Sequence, residues 1–231
     1  MSEVHTIGLD LAEPIFPAHG AGASGEVVFR KRLRRGQVLA FFSNQPRCLV
    51  AMEACGSAHY WGRELTRLGH EVRLIPPIYV KPFVKRQKND AADAEAIAEA
   101  AIRPTMRFVA VKSEERQGIA VLLCTREILI RQRTQTINAL RGHLAEFGVI
   151  VAKGASNVAK LMERIADPET SLPEVARAAL GYLTDSLLRL EDQARELDRE
   201  IASRAKANKM ARIVWAIMSS NQVYRAPVAQ A

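Results

Sequence analysis

Two patterns of apolar and polar positions divide the chain. In the first half, short apolar runs alternate with turn signals. "EVHTIGLDL" is a strand pattern that ends near Asp10, and "EVVFRKRL" alternates Val27, Phe29 and Lys31 against Val28 and Arg30 after the turn "GASGE". That arrangement predicts a hairpin. "RGQVLAFFSN" predicts a short helix over 35–44, and Cys48 to Met52 a buried strand ending at Glu53. Ser57 stands as an N-cap, Tyr60, Trp61, Leu65 and Leu68 follow at helical spacing, and Gly69 closes the helix before the strand pattern "HEVRLIPP". Strand, helix, glycine and strand make a βαβ unit, so at least two strands run parallel. A further helix begins at Asn89 or Asp90 and runs to about Ile102, before Pro104; "TMRFVAVK" then predicts a last strand or an extended connector.

The second half reads differently. From Ser113 to Phe147, Ile119, Leu122, Leu123, Ile130, Ile137, Leu140 and Leu144 recur at helical intervals, and the only breakers are Gly118 and Gly142. One long amphipathic helix follows, with Arg126, Arg131, Arg133 and Arg141 on its other face. A looser segment carries Gly148, Gly154 and Pro168. After Pro173 a second helix has Leu183, Leu187, Leu190, Leu197 and Ile201 in near-heptad spacing. Two antiparallel helices or a coiled-coil pair are expected, and with them a homodimer or higher oligomer through the long helices. The domain division expected is 1–111, 112–209, and an apolar tail over 210–231 around Ile213, Val214, Trp215 and Ile217.

Composition narrows the function. With 48% hydrophobic and 25% charged residues the chain is ordinary globular material, while its net charge of +8 favours a polyanionic partner, most often nucleic acid. Three cysteines, Cys48, Cys55 and Cys124, form no close pair, which argues against a disulfide framework or a structural zinc. No signal peptide or membrane-spanning run is present, so a cytoplasmic, nucleoid-associated protein is expected. The five histidines lack ligand spacing, and no phosphate loop of the ATPase type occurs.

Four acids stand out by position. Asp10 and Glu53 end strands; Asp90 and Asp93 open a helix on one face. Singly, each has an ordinary explanation: a turn residue, a partner for arginine, a first-turn acid stabilised by the helix dipole. Together they describe an all-oxygen site suited to Mg²⁺ or Mn²⁺, the kind that serves phosphodiester chemistry. Without a cation the same cluster repels itself, a poor arrangement for stability alone. Lys81, Lys85, Arg86 and Lys88 stand just before the acidic turn, where phosphates would be drawn in.

The segments "IGLDLA", "VAMEACGSAHYWGRELTRLGHEVRLIPP" and "KNDAADAEAIAEAA" resemble the DEDD transposases of bacterial insertion sequences. The resemblance covers residues 4–211. It implies an α/β, ribonuclease-H-like (RuvC-like) mixed sheet with flanking helices, followed by a helical coiled-coil region. It also implies that Asp10, Glu53, Asp90 and Asp93 match the family's four acids, and that the partners are DNA and a structured guide RNA. Family members continue into a second domain bearing a serine nucleophile. Ser219 and Ser220 match no such motif, and the chain is expected to be truncated before that domain. Pro14 and Pro17 are expected to break the second strand or confine it to an edge, and Glu13 adds charge beside Asp10. The alternatives carried forward are a resolvase-like metal-dependent nuclease and a non-catalytic fragment that binds nucleic acid and dimerises.

Overall fold

The computed structural model describes residues 3–12, 14–83 and 90–207; the side chains of Asp90, Ala91, Lys206 and Ala207 are excepted. The chain divides into two compact units between Arg116 and Gln117.

The first unit is built on a five-stranded sheet. Its strands are β1 (Thr6–Leu9), β2 (Ile15–Ala21), β3 (Val27–Arg34), β4 (Leu49–Glu53) and β5 (Glu71–Ile75), in the order β3-β2-β1-β4-β5. β1, β2 and β3 run antiparallel as a meander, whereas β1, β4 and β5 run parallel. This is the mixed sheet of the ribonuclease-H-like class. The helices are α1 (Val38–Ser43), α2 (Ala58–Arg67), the short α3 (Pro77–Val80) and α4 (Asp90–Ala101).

Alternation along each strand assigns the two faces. Ile7, Leu9, Phe16, Val50, Met52 and Leu74 pack with Val38, Phe42, Trp61 and Leu65 of α1 and α2. Phe16 meets Trp61 edge to face at 5.3 Å. Leu49, Ala51 and Ile75 lie on the opposite face with Ala96, Ile97, Ala100 and Ala101 of α4. Burying each of the larger side chains contributes about 1.5–3 kcal/mol, so both faces are held mainly by apolar contact. "TMRFVAVK" is a connector with one bridge to the sheet, where the Val109 amide donates to the Leu74 carbonyl at 2.8 Å.

Two expectations change. β2 is neither broken nor at an edge: it lies between β3 and β1. The Asp10 amide donates to the Pro17 carbonyl at 3.0 Å. The bond that Pro17 lacks would therefore return to Asp10, where β1 has already ended; the missing donor costs the ladder little. Pro14 precedes β2, and Glu13 lies outside the described residues. Ser57 does occupy the N-cap of α2, but its side chain makes no capping bond; its carbonyl accepts from the Tyr60 and Trp61 amides. Gly69 has φ 93°, the left-handed conformation expected of a helix-ending glycine.

In the second unit α5 (Glu114–Glu146), whose first residues belong to the first unit, is followed by α6 (Val158–Ala166) and α7 (Glu174–Ala207). α6 lies in the segment read as loose. Its Val158, Leu161 and Ile165 join Ile137, Leu140, Leu144, Leu180 and Leu187 in one core. Arg126 pairs with Asp198, and Arg133 with Glu191 at 2.9 Å. Seven residues up α5 thus match seven residues down α7, which makes the pair antiparallel. Arg177 ties the α6–α7 connection by donating to the carbonyls of Ile165, Asp167 and Thr170 at 2.6, 2.7 and 2.7 Å. Residues 210–231, the expected tail, lie outside the described residues.

Candidate active site

The site begins with a glycine. A Cβ on Gly8 would stand 2.1 Å from the Ala94 carbonyl oxygen and 2.6 Å from the Ala98 amide nitrogen. Only a residue without a side chain lets α4 lie this close on β1, and the small Ala94 and Ala98 complete the fit. Further along, Glu99 of α4 and Ile102 just past its end line a cavity of about 380 Å³ with Thr6, at the start of β1. α4 therefore runs against the direction of β1, and its N-terminal turn comes to the strand's carboxyl end.

Register then locates the acids. Gly8 and Asp10 share a face by alternation, as do Ala51 and Glu53. Leu9 pairs with Met52 in the parallel ladder, so Asp10 and Glu53 leave neighbouring strands side by side, on the α4 face and at the carboxyl end of the sheet. Two residues of strand advance about 6.6 Å and four of helix about 6 Å, so the turn Asp90–Asp93 overlies the row of Asp10. Asp10, Glu53 and Asp93 are each half-buried. The side chain of Asp90 lies outside the described residues.

Such a donor set, all carboxylate oxygen, suits a hard divalent cation. Among the described residues no group of three histidine, cysteine, aspartate or glutamate side chains is assembled to hold an ion. Asp10, Glu53 and Asp93 alone do not close one.

The expected nucleic-acid contacts are more dispersed. Lys81 is exposed in a 3-10 turn after α3, while Lys85, Arg86 and Lys88 lie outside the described residues. Arg126 and Arg133 do not stand clear of the apolar stripe. They flank it, paired with acids of α7, because the partner helix brings Asp198 and Glu191 alongside. Arg131 pairs with Glu127 on the surface, and Arg141 donates to the carbonyls of Ala152 and Gly154. Sequence reasoning missed Gly8; the signal was a glycine inside an apolar run, matched by alanines four apart in the helix that covers it.

Cys48 is a poor nucleophile. Burial pushes the Cys48 thiol up to about 11, and its sulfur lies 3.6 Å from Nδ1 of the buried His70. Cys55 and Cys124 are exposed.

A ribonuclease-H-like sheet with acids at the carboxyl ends of its central parallel strands defines the class. Comparison gives the family. A family model described as a transposase, that of the IS110-type DEDD transposases, matches residues 7–148. A probable family 20 transposase of Pseudomonas aeruginosa is 48% identical over 204 residues, 87% of this chain and 60% of the relative. A putative transposase of Sinorhizobium fredii is 43% identical over 210 residues, 90% of this chain and 54% of the relative. RuvC of T. thermophilus, solved in complex with a Holliday junction substrate, aligns with 45% of this chain and 98% of its own at a TM-score of 0.34 and 13% identity. The chain belongs to the DEDD transposase family of insertion sequences. It spans between 54% and 60% of the length of these two relatives.

Proposed function

We propose that this chain acts on DNA phosphodiesters as an insertion-sequence transposase, with Asp10, Glu53, Asp90 and Asp93 as the carboxylates that hold Mg²⁺ or Mn²⁺. The supporting observation is the close approach of α4 to Gly8, which carries an acidic helix turn to the end of β1, where Asp10 and Glu53 emerge.

When bound, the divalent ions would neutralise charge developing on the attacking and leaving oxygens of the phosphodiester. The protein's part is placement. Strand ends carry Asp10 and Glu53, and the first turns of α4 carry Asp90 and Asp93. Asp10, Glu53 and Asp93 are half-buried, which leaves part of each carboxylate open to a backbone phosphate. Lys81, with Lys85, Arg86 and Lys88 in the segment leading to α4, draws the phosphates in, and Arg126, Arg131, Arg133 and Arg141 belong to the same proposal for the helical unit. The excess of basic residues fits DNA and a structured guide RNA alike. A homodimer or higher oligomer through the long helices completes the reading.

Incubation of the chain with linear and branched DNA in Mg²⁺ or Mn²⁺, beside Asp93→Asn, is the test. Metal-dependent strand cutting that disappears in the variant is the expected result. Salt-sensitive binding with no cutting by the unaltered chain would instead make it a non-catalytic nucleic-acid-binding protein.

A further inference from the structure

The run Arg30–Arg35 places five basic side chains around the edge strand β3, and register sorts them into different roles. Lys31 and Arg35 go to the α1–α2 side, where Lys31 sits 4.9 Å over the ring of Phe41 and Arg35 5.2 Å over that of Trp61. Arg30 is on the α4 side and pairs with Glu95 at 3.0 Å. Arg32 and Arg34 share the α4 face with Arg30 by alternation, and both are exposed.

Arg32 has a particular address. It pairs with Pro17 across β2–β3, and Pro17 accepts from the Asp10 amide across β2–β1. Asp10 in turn stands beside Glu53 on β4. One cross-strand row therefore reads Arg32, Pro17, Asp10, Glu53, with every member on the same face. Arg34 occupies the next row outward, opposite Ile15. The residue between arginine and acid in that row is a proline, short and without charge.

We propose that Arg32 and Arg34 form a phosphate-binding wall for the DNA strand entering the acidic end of the sheet. The inference rests on the reading of that end as a phosphodiester site. Two interstrand spacings separate the backbones of Arg32 and Asp10 by about 10 Å, so an inward-reaching guanidinium meets a phosphate about one or two nucleotides from the one at the acids. Arginine suits this role because its fork binds phosphate oxygens bidentately. The acids repel DNA; a cationic wall in their own row offsets that repulsion and fixes the path of the backbone. Charge on an edge strand also discourages pairing with other strands. That role asks only for charge, on either face, and predicts no effect on DNA affinity beyond the loss of two charges.

The test uses the 231-residue chain and a short fluorescein-labelled DNA duplex, with affinity measured by anisotropy across a salt series. Arg32→Gln/Arg34→Gln is compared with Arg195→Gln/Arg204→Gln, which removes the same charge from surface pairs on α7. The row variant is expected to weaken binding about ten-fold and to flatten the slope of log affinity against log salt by about one per lost phosphate contact, the control hardly at all. Both variants alter exposed side chains and should melt with the unaltered chain. Equal affinity and slope in the two variants would overturn the proposal. Asp10→Asn reports separately on the underlying reading: it should bind with an unchanged slope and fail to cut. Cutting by Asp10→Asn at the normal rate would sink the phosphodiester site, and with it the purpose assigned to the wall, whatever the salt series gives.

Discussion

His59 shows how one side chain makes the fold sensitive to pH. Its Nδ1 accepts the Lys112 amide at 3.2 Å, joining α2 to the connector that leads into α5. Burial first, then the charges of Lys112 and Arg63, hold the imidazole below its usual 6.5. The folded chain thus takes up this proton at a lower pH than the unfolded one. The neutral ring's contribution is complete above about 6.5 and is lost as pH falls through the depressed folded value. His59→Asn keeps an acceptor near the same position and does not titrate. The melting temperature of the unaltered chain should therefore fall more steeply than that of His59→Asn between about pH 7 and 5; parallel curves would contradict the assignment. Other single residues differ in how far the sequence revealed them. The placement of Asp10 and Glu53 at strand ends and of Asp90 and Asp93 at a helix start was legible because such ends are local patterns. The pairing of Arg126 and Arg133 was not, because their partners stand 72 and 58 residues away and depend on how two helices align.

Between elements, the decisive contact is α4 on β1. Gly8→Ala would drive a methyl group into backbone atoms of α4 at Ala94 and Ala98, which cannot rotate aside. Overpacking of this kind costs about 1–3 kcal/mol. The helix has to lift or slide, and its acidic first turn moves with it. Gly8→Ala is therefore expected to lower the melting temperature and to cut DNA less well than the stability loss alone explains, even at a temperature where it is fully folded. Cutting at the unaltered rate at that temperature would show that the acids do not depend on this approach. The same contact marks the limit of element-level reading. Periodicity found α4 and β1 separately but could not say that one lies on the other. Proline chemistry demoted β2, yet the missing donor of Pro17 falls where β1 stops, a matter of pairing that composition cannot express. α6 was passed over because Gly154 and Pro168 bracket it, although Val158, Leu161 and Ile165 already had the spacing of a buried helical face.

At the scale of the whole molecule, each unit has a core of its own. Ile7, Leu9, Trp61 and their neighbours serve the sheet, whereas Leu140, Leu144, Leu161 and Leu187 serve the helices, and the two sets belong to different units. If stability follows the cores, each unit unfolds as its own cooperative body. The chain carries the means to test this. Trp61 is buried in the sheet unit, and the second tryptophan, Trp215, can be replaced by phenylalanine to leave Trp61 as sole reporter. Leu140 is fully buried, so Leu140→Ala should cost the helical unit about 2–5 kcal/mol. In the Trp215→Phe background, that substitution is expected to bring the loss of helical circular dichroism to lower denaturant while the Trp61 fluorescence transition stays in place. Movement of both transitions together would mean that α5, continuous through the division at Arg116, couples the units into one. In that case the acidic end of the sheet would feel every change in the helices, and the two could no longer be treated as independent parts of a transposase.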